Sequence, residues 1–158
     1  MSNTEGTDRR TLFKMLTGMS VGAATVLGSE RHSDAADRTA SEQANVQLVT
    51  DFCAVWSTRD INKALPFLAD DCVYRMSETT PAARGHDGVI ERLKRSVDTS
   101  SLVEFRILDI AAAGPIVINH RIDRFLMPRP LTWEGVGVFF VKDGKIKEWS
   151  DYTIRVQR

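Results

Sequence analysis

The chain holds 158 residues, room for one domain and little more. Lys plus Arg total 21 and Asp plus Glu total 21, so the formal charge is zero, which argues against nucleic acid as the main partner because phosphate binding draws on a basic surplus. Two cysteines, Cys53 and Cys72, are too few for a disulfide scaffold or a cysteine-based zinc site, and no apolar run reaches the roughly 18 residues of a membrane span.

Residues 1–35 read as a leader and 36–158 as a single domain. Asp8-Arg9-Arg10-Thr11-Leu12-Phe13-Lys14 resembles the twin-arginine export motif, in which two arginines precede an apolar pair and a lysine. Met15 to Ser29 is uncharged and rich in Gly, Ala, Thr, Val and Leu, as an export signal requires, and Ser33-Asp34-Ala35 offers a small-x-small cleavage site. The expected location is periplasmic or secreted, and cytoplasmic if the leader is not a signal. In an exported protein Cys53 and Cys72 are able to pair, but each sits in an apolar pattern, which favours two buried free thiols.

Apolar residues at Ala44, Leu48, Val49, Phe52, Val55 and Trp56 recur at helical spacing and predict a helix over 41–56, with Ser41 as N-cap. Asp60 caps a second, short helix carrying Ala64, Leu65, Phe67 and Leu68. Asp70-Asp71 ends it, and Cys72-Val73-Tyr74 begins a short strand. Residues 78–83 form a loop, and 85–97 form a third helix with Val89, Ile90, Leu93 and Val97 on one side. The period then changes to two. Strands are expected over 102–112, 116–126, 131–141 and 146–156, separated by Gly114-Pro115, Pro128-Arg129-Pro130 and the tight-turn sequence Asp143-Gly144. Gly135 and Gly137 mark a bulge or a close approach. Helices followed by a meander of long strands give an α+β fold. A strongly bent sheet wrapped around the helices forms a cone with a deep apolar pocket.

Alternation places Asn119, Arg121 and Asp123 on one face of their strand, and Trp149, Asp151 and Thr153 on one face of the last strand. If the first face is the concave one, Asp123 and Asp151 both reach Arg121. A guanidinium between two carboxylates holds one ionised while burial keeps the other protonated, the pairing that acid plus base catalysis requires. His86 opens a helix and His120 faces away from Asp123, so neither is expected to act as a catalyst or metal ligand. No glycine-rich phosphate loop precedes a helix. The expectation is no cofactor and no metal.

The pieces Phe52-Cys53-Ala54-Val55-Trp56, Asp70-Asp71-Cys72-Val73-Tyr74, Gly85-His86-Asp87-Gly88, His120-Arg121-Ile122-Asp123, Gly135-Val136-Gly137-Val138-Phe139 and Asp143-Gly144-Lys145-Ile146-Lys147-Glu148-Trp149-Ser150-Asp151-Tyr152 resemble, in order and spacing, the limonene-1,2-epoxide hydrolase family within the SnoaL-like, NTF2-like cone folds. The resemblance implies a curved mixed sheet on three to four helices and a cofactor-independent, one-step attack of water on a small lipophilic epoxide, giving a vicinal diol. It implies Asp123 as general acid, Asp151 as general base, Arg121 as the bridge and Tyr74 as the residue holding the water. It also implies a homodimer, while the neutral charge and the lack of a long apolar run lead to the expectation of no nucleic-acid partner and no membrane in the mature form. The family's second water ligand, an asparagine, is here Met76. Asn119 is the candidate stand-in, and Trp149 a candidate pocket residue. The departure leaves open an epoxide-opening cyclase or isomerase of the same fold, and a non-catalytic module for an apolar ligand.

Overall fold

The computed structural model describes residues 38–157. The leader and its export motif lie outside the described residues. The order is helix α1 (Ala40–Val55), three single 3-10 turns (Trp56–Thr58, Ile61–Lys63, Leu65–Phe67), strand β1 (Leu68–Arg75), the two-residue strand β2 (Ala83–Arg84), helix α2 (Gly85–Thr99), and strands β3 (Leu102–Ala113), β4 (Ile116–Leu126), β5 (Leu131–Lys142) and β6 (Lys145–Gln157). The sheet runs β2-β1-β6-β5-β4-β3, with β1 parallel to β6 and every other pair antiparallel. It is a mixed, curved α+β sheet that wraps the helices without closing, and the fold is the NTF2-like cone.

Two local expectations are corrected. The N-cap of α1 is Thr39, not Ser41: its hydroxyl accepts from the Glu42 backbone N–H while the Glu42 carboxylate accepts from the Thr39 N–H. The other Glu42 oxygen accepts from Gly114 N–H at 2.7 Å, which ties the helix to the β3–β4 turn. These donors hold the Glu42 carboxyl below its usual range. The second correction concerns the short helix after Asp60. The segment forms only 3-10 turns, because Pro66 has no N–H to donate, and β1 already begins at Leu68. Among the described residues the scaffold therefore has two α-helices, with single 3-10 turns where a further helix was expected. Asp70 and Asp71 lie inside β1, exposed, where its register against β6 shifts.

Elsewhere the chain follows its pattern. Asp143 and Gly144 both take positive φ, as a two-residue hairpin between β5 and β6 demands. Helix α1 buries Val49, Phe52 and Cys53, and α2 buries Val89, Leu93 and Val97, against the concave side of the sheet. Phe52 stands edge-on to Trp56, Phe67, Phe139 and Trp149, with ring centroids 5.0–6.1 Å apart. Such edge contacts are the favoured aromatic geometry and fix the orientation of each ring. Cys53 and Cys72 are both buried and free.

Candidate active site

The concave face of β4 carries Val117, Asn119, Arg121, Asp123 and Phe125, all buried, while Ile118, His120, Ile122 and Arg124 face outward. Arg121 has no exposed surface, yet it is fully charged-paired. Its Nε donates to Asp123 (3.0 Å to Oδ1), its Nη2 donates to Asp151 Oδ1 at 2.7 Å, and its Nη1 donates to Asn119 Oδ1 at 3.0 Å. Every edge of the guanidinium fork is used. Its faces are covered as well, since the carbon centre lies 4.9 Å from the Trp133 ring and 5.4–5.9 Å from Phe105, Trp149 and Phe139.

This close packing requires bare backbone on β5. A Cβ on Gly137 would sit 2.0 Å from Arg121 Nη1 and 2.7 Å from Asn119 Oδ1. A Cβ on Gly135 would sit 2.1 Å from the Trp133 ring. The two glycines expected to mark a close approach admit the guanidinium and the indole respectively.

The two carboxylates sit in unequal surroundings. Asp151 accepts from Arg121, from Trp149 Nε1–H at 2.7 Å and from the Tyr74 hydroxyl at 3.2 Å. Asp123 accepts from Arg121 Nε alone. Burial raises both acids. Asp123 is pushed up to about 7, chiefly by desolvation, with the Arg121 charge opposing and the Asp151 charge assisting. Asp151 has three donors against its negative charge and Asp123 only one, which favours a proton on Asp123 over one on Asp151. Burial and the Asp151 charge push the Tyr74 phenol well above its normal value, so it remains an O–H.

Asp123, Asp151, Tyr74 and Met76 line one cavity of about 120 Å³, closed by Leu93, Ser96, Phe105, Phe125, Leu131 and Trp133. Five of the predicted site residues thus meet at one apolar chamber or, for Arg121, directly behind its wall. Two do not have the placement expected of them. Asn119 is fully buried behind Arg121, with its carbonyl oxygen bonded to Nη1 and its amide N–H directed to Cys53 Sγ at 3.5 Å, so it offers nothing to a cavity water. Trp149 is outside the cavity lining. It stacks on Tyr74 with centroids 3.9 Å apart and orients Asp151 through its N–H. A residue not singled out from the sequence, Trp133, also lines the cavity and covers Arg121.

The SnoaL-like domain family matches residues 49–149. Among solved structures, an LEH-like epoxide hydrolase from M. tuberculosis is 27% identical, with 71% of this chain and 84% of that chain covered at a TM-score of 0.60. A putative polyketide cyclase from Xanthomonas campestris pv. campestris is 21% identical, covering 71% and 91% at 0.62. A putative SnoaL-like polyketide cyclase from Shewanella putrefaciens is 16% identical, covering 68% and 88% at 0.62. The family's match spans well over half of the chain and includes Tyr74, Met76, Asn119, Arg121, Asp123 and Trp149; the chain belongs to the SnoaL-like domain family.

Proposed function

We propose that the protein opens small lipophilic epoxides by cofactor-independent acid–base catalysis, with water as the nucleophile and a vicinal diol as the product. The carrying observation is the pair of unequal carboxylates on one buried guanidinium at an apolar cavity. In this reading Asp151 takes a proton from a water held against the Tyr74 hydroxyl. The water oxygen bonds to an epoxide carbon as the carbon–oxygen bond breaks, and Asp123 delivers its proton to the leaving oxygen. Arg121 joins the two groups, so loss of the Asp123 proton and gain of the Asp151 proton leave the net charge of the trio unchanged. A carboxyl held near neutrality suits the acid role. The 27%-identical LEH-like epoxide hydrolase supports the same reading.

Met76 favours a second reading. It lines the cavity beside Tyr74 and contributes no hydrogen bond to a water. A drier chamber suits attack by a hydroxyl of the substrate itself, which would make the protein an epoxide-opening cyclase or isomerase. A holding role for an apolar ligand, without chemistry, leaves the buried carboxylate pair unexplained, given the desolvation each charge bears. Turnover of a panel of simple and hydroxy-substituted epoxides separates these readings. Diol formation abolished by Asp123→Asn and Asp151→Asn supports the hydrolase, cyclic ether from hydroxy-epoxides supports the cyclase, and binding without product supports the ligand-holding module.

We further propose a homodimer formed through the outward face of the sheet, where Ile118, Tyr152 and Ile154 are exposed. Sedimentation measurements would test it. The twin-arginine-type leader supports export to the periplasm or beyond.

A further inference from the structure

Trp133 occupies space that glycine at position 135 leaves open. It projects from the concave face of β5 over Gly135, the position at which a Cβ would overlap its ring at 2.1 and 2.4 Å. Its Nε1–H donates to Thr153 Oγ1 at 3.0 Å, and Thr153 pairs with Gly135 across the β5–β6 ladder. One end of the ring is thereby anchored on β6 through a bond that fixes its tilt. The ring face lies 4.9 Å from the guanidinium carbon of Arg121, nearer than any of the other three aromatic rings around that charge. The same ring forms part of the wall of the cavity containing Asp123 and Asp151.

We infer that Trp133 is both the positioning residue for the Arg121 bridge and the residue that limits substrate size, restricting the site to compact epoxides. The second half rests on the epoxide-opening reading; the first does not. The cavity holds about 120 Å³, far below the roughly 300 Å³ at which pockets for larger organic ligands begin. The indole is the largest side chain in its wall.

A guanidinium bridging two carboxylates must stay planar between them, and a π-face above it opposes tilting while excluding the water that would otherwise compete for its N–H groups. Excluding that water also maintains the desolvation that is the largest cause of the raised Asp123 carboxyl. Opening the wall admits water to both Arg121 and Asp123. Hydrating Arg121 weakens its pull on the carboxylate, which raises the acid. Hydrating Asp123 stabilises its anion, which lowers it. Desolvation outweighs the Arg121 attraction, so the net shift is downward.

The test uses Trp133→Leu, Trp133→Phe and Thr153→Val in the full chain. Phe keeps a ring over Arg121 but has no N–H for Thr153. Val removes the anchor alone, at an exposed position. The first readout is substrate-free: the carboxyl carbon of Asp123, followed by NMR in protein labelled at Asp, between pH 4 and 9. The expected result is titration near 7 in the wild type and in Trp133→Phe, and a fall of about one unit in Trp133→Leu. The second readout is the ratio of kcat/KM for a bicyclic epoxide to that for a small aliphatic one. It should rise at least about tenfold in Trp133→Leu, less in Trp133→Phe, and by an intermediate amount in Thr153→Val. If Trp133 merely packs, Leu and Phe lower the unfolding midpoint while the titration and ratio stay unchanged, and that outcome overturns the inference. Absence of epoxide turnover in the wild type refutes the proposed function and the size limit. The titration then still decides whether Trp133 positions the bridge.

Discussion

Replacing Asp123 with Asn should remove activity and, at alkaline pH, make the protein more stable. Asp123 is 5% exposed, and its carboxyl is pushed from 3.8 up to about 7. An acid whose folded-state value lies above its unfolded one binds its proton more tightly in the native state. Its contribution to stability is therefore complete below about pH 4 and is lost as pH rises through about 7. At about 1.4 kcal/mol per unit, the full loss is about 4 kcal/mol. Asn occupies nearly the same volume, keeps one oxygen to accept from Arg121 Nε, and cannot ionise. The stability advantage of Asp123→Asn should then widen by about 3 kcal/mol between pH 5 and pH 8, or roughly 8–14 °C in midpoint for a domain of this size. Urea unfolding of both proteins across that range measures it, beside turnover of the best epoxide substrate, which should fall at least about a hundredfold. Stability curves that run parallel with pH, or converge as pH rises, would refute the claim that burial keeps a proton on Asp123.

Gly137→Ala should place a methyl 2.0 Å from Arg121 Nη1 and force the guanidinium off Asp151 or Asn119. Breaking a buried pair of this kind costs about 3–5 kcal/mol, measurable as a lowered urea midpoint together with lost turnover, whereas an unchanged midpoint would mean that Arg121 is not wedged there. Cys53, buried and with its thiol pushed up to about 12, should ignore Ellman's reagent at pH 8 until the protein is unfolded, when both Cys53 and Cys72 should react. Met76→Asn should raise the proportion of diol over cyclic ether formed from a hydroxy-epoxide, by product analysis; an unchanged proportion would show that residue 76 does not govern access of water.

Much of the site is a consequence of strand alternation, which a sequence displays directly. Period two put Asn119, Arg121 and Asp123 on one face of β4 and Asp151 on the matching face of β6, and curvature brought the two faces together. Gly135 and Gly137 signalled a close approach, but not what approaches: at Gly137 it is Arg121 from the neighbouring β4, and at Gly135 it is the indole of Trp133 from β5 itself, turned over the glycine by its bond to Thr153 on β6. Asn119 and Trp149 were placed on the correct faces and assigned the wrong contacts. Their partners, Cys53 and Tyr74, come from α1 and β1, and no periodicity within β4 or β6 encodes the depth at which those elements pack. The start of β1 was obscured by Asp70 and Asp71, which resemble a helix stop yet occupy the irregular stretch where the strand's register against β6 shifts. Pro66 divided the preceding segment into turns too short for a hydrophobic stripe to mark.

The account depends on water attacking the epoxide directly, with no covalent bond to the protein. A single turnover in oxygen-18 water, with protein in excess over the best epoxide substrate and the diol analysed by mass spectrometry, tests this most directly. The account predicts that the first diol formed carries one heavy oxygen and that no carboxylate of the protein gains any. A first diol without heavy oxygen, with the label later found in Asp123 or Asp151, would mean that a carboxylate attacks the epoxide and would contradict the acid–base mechanism.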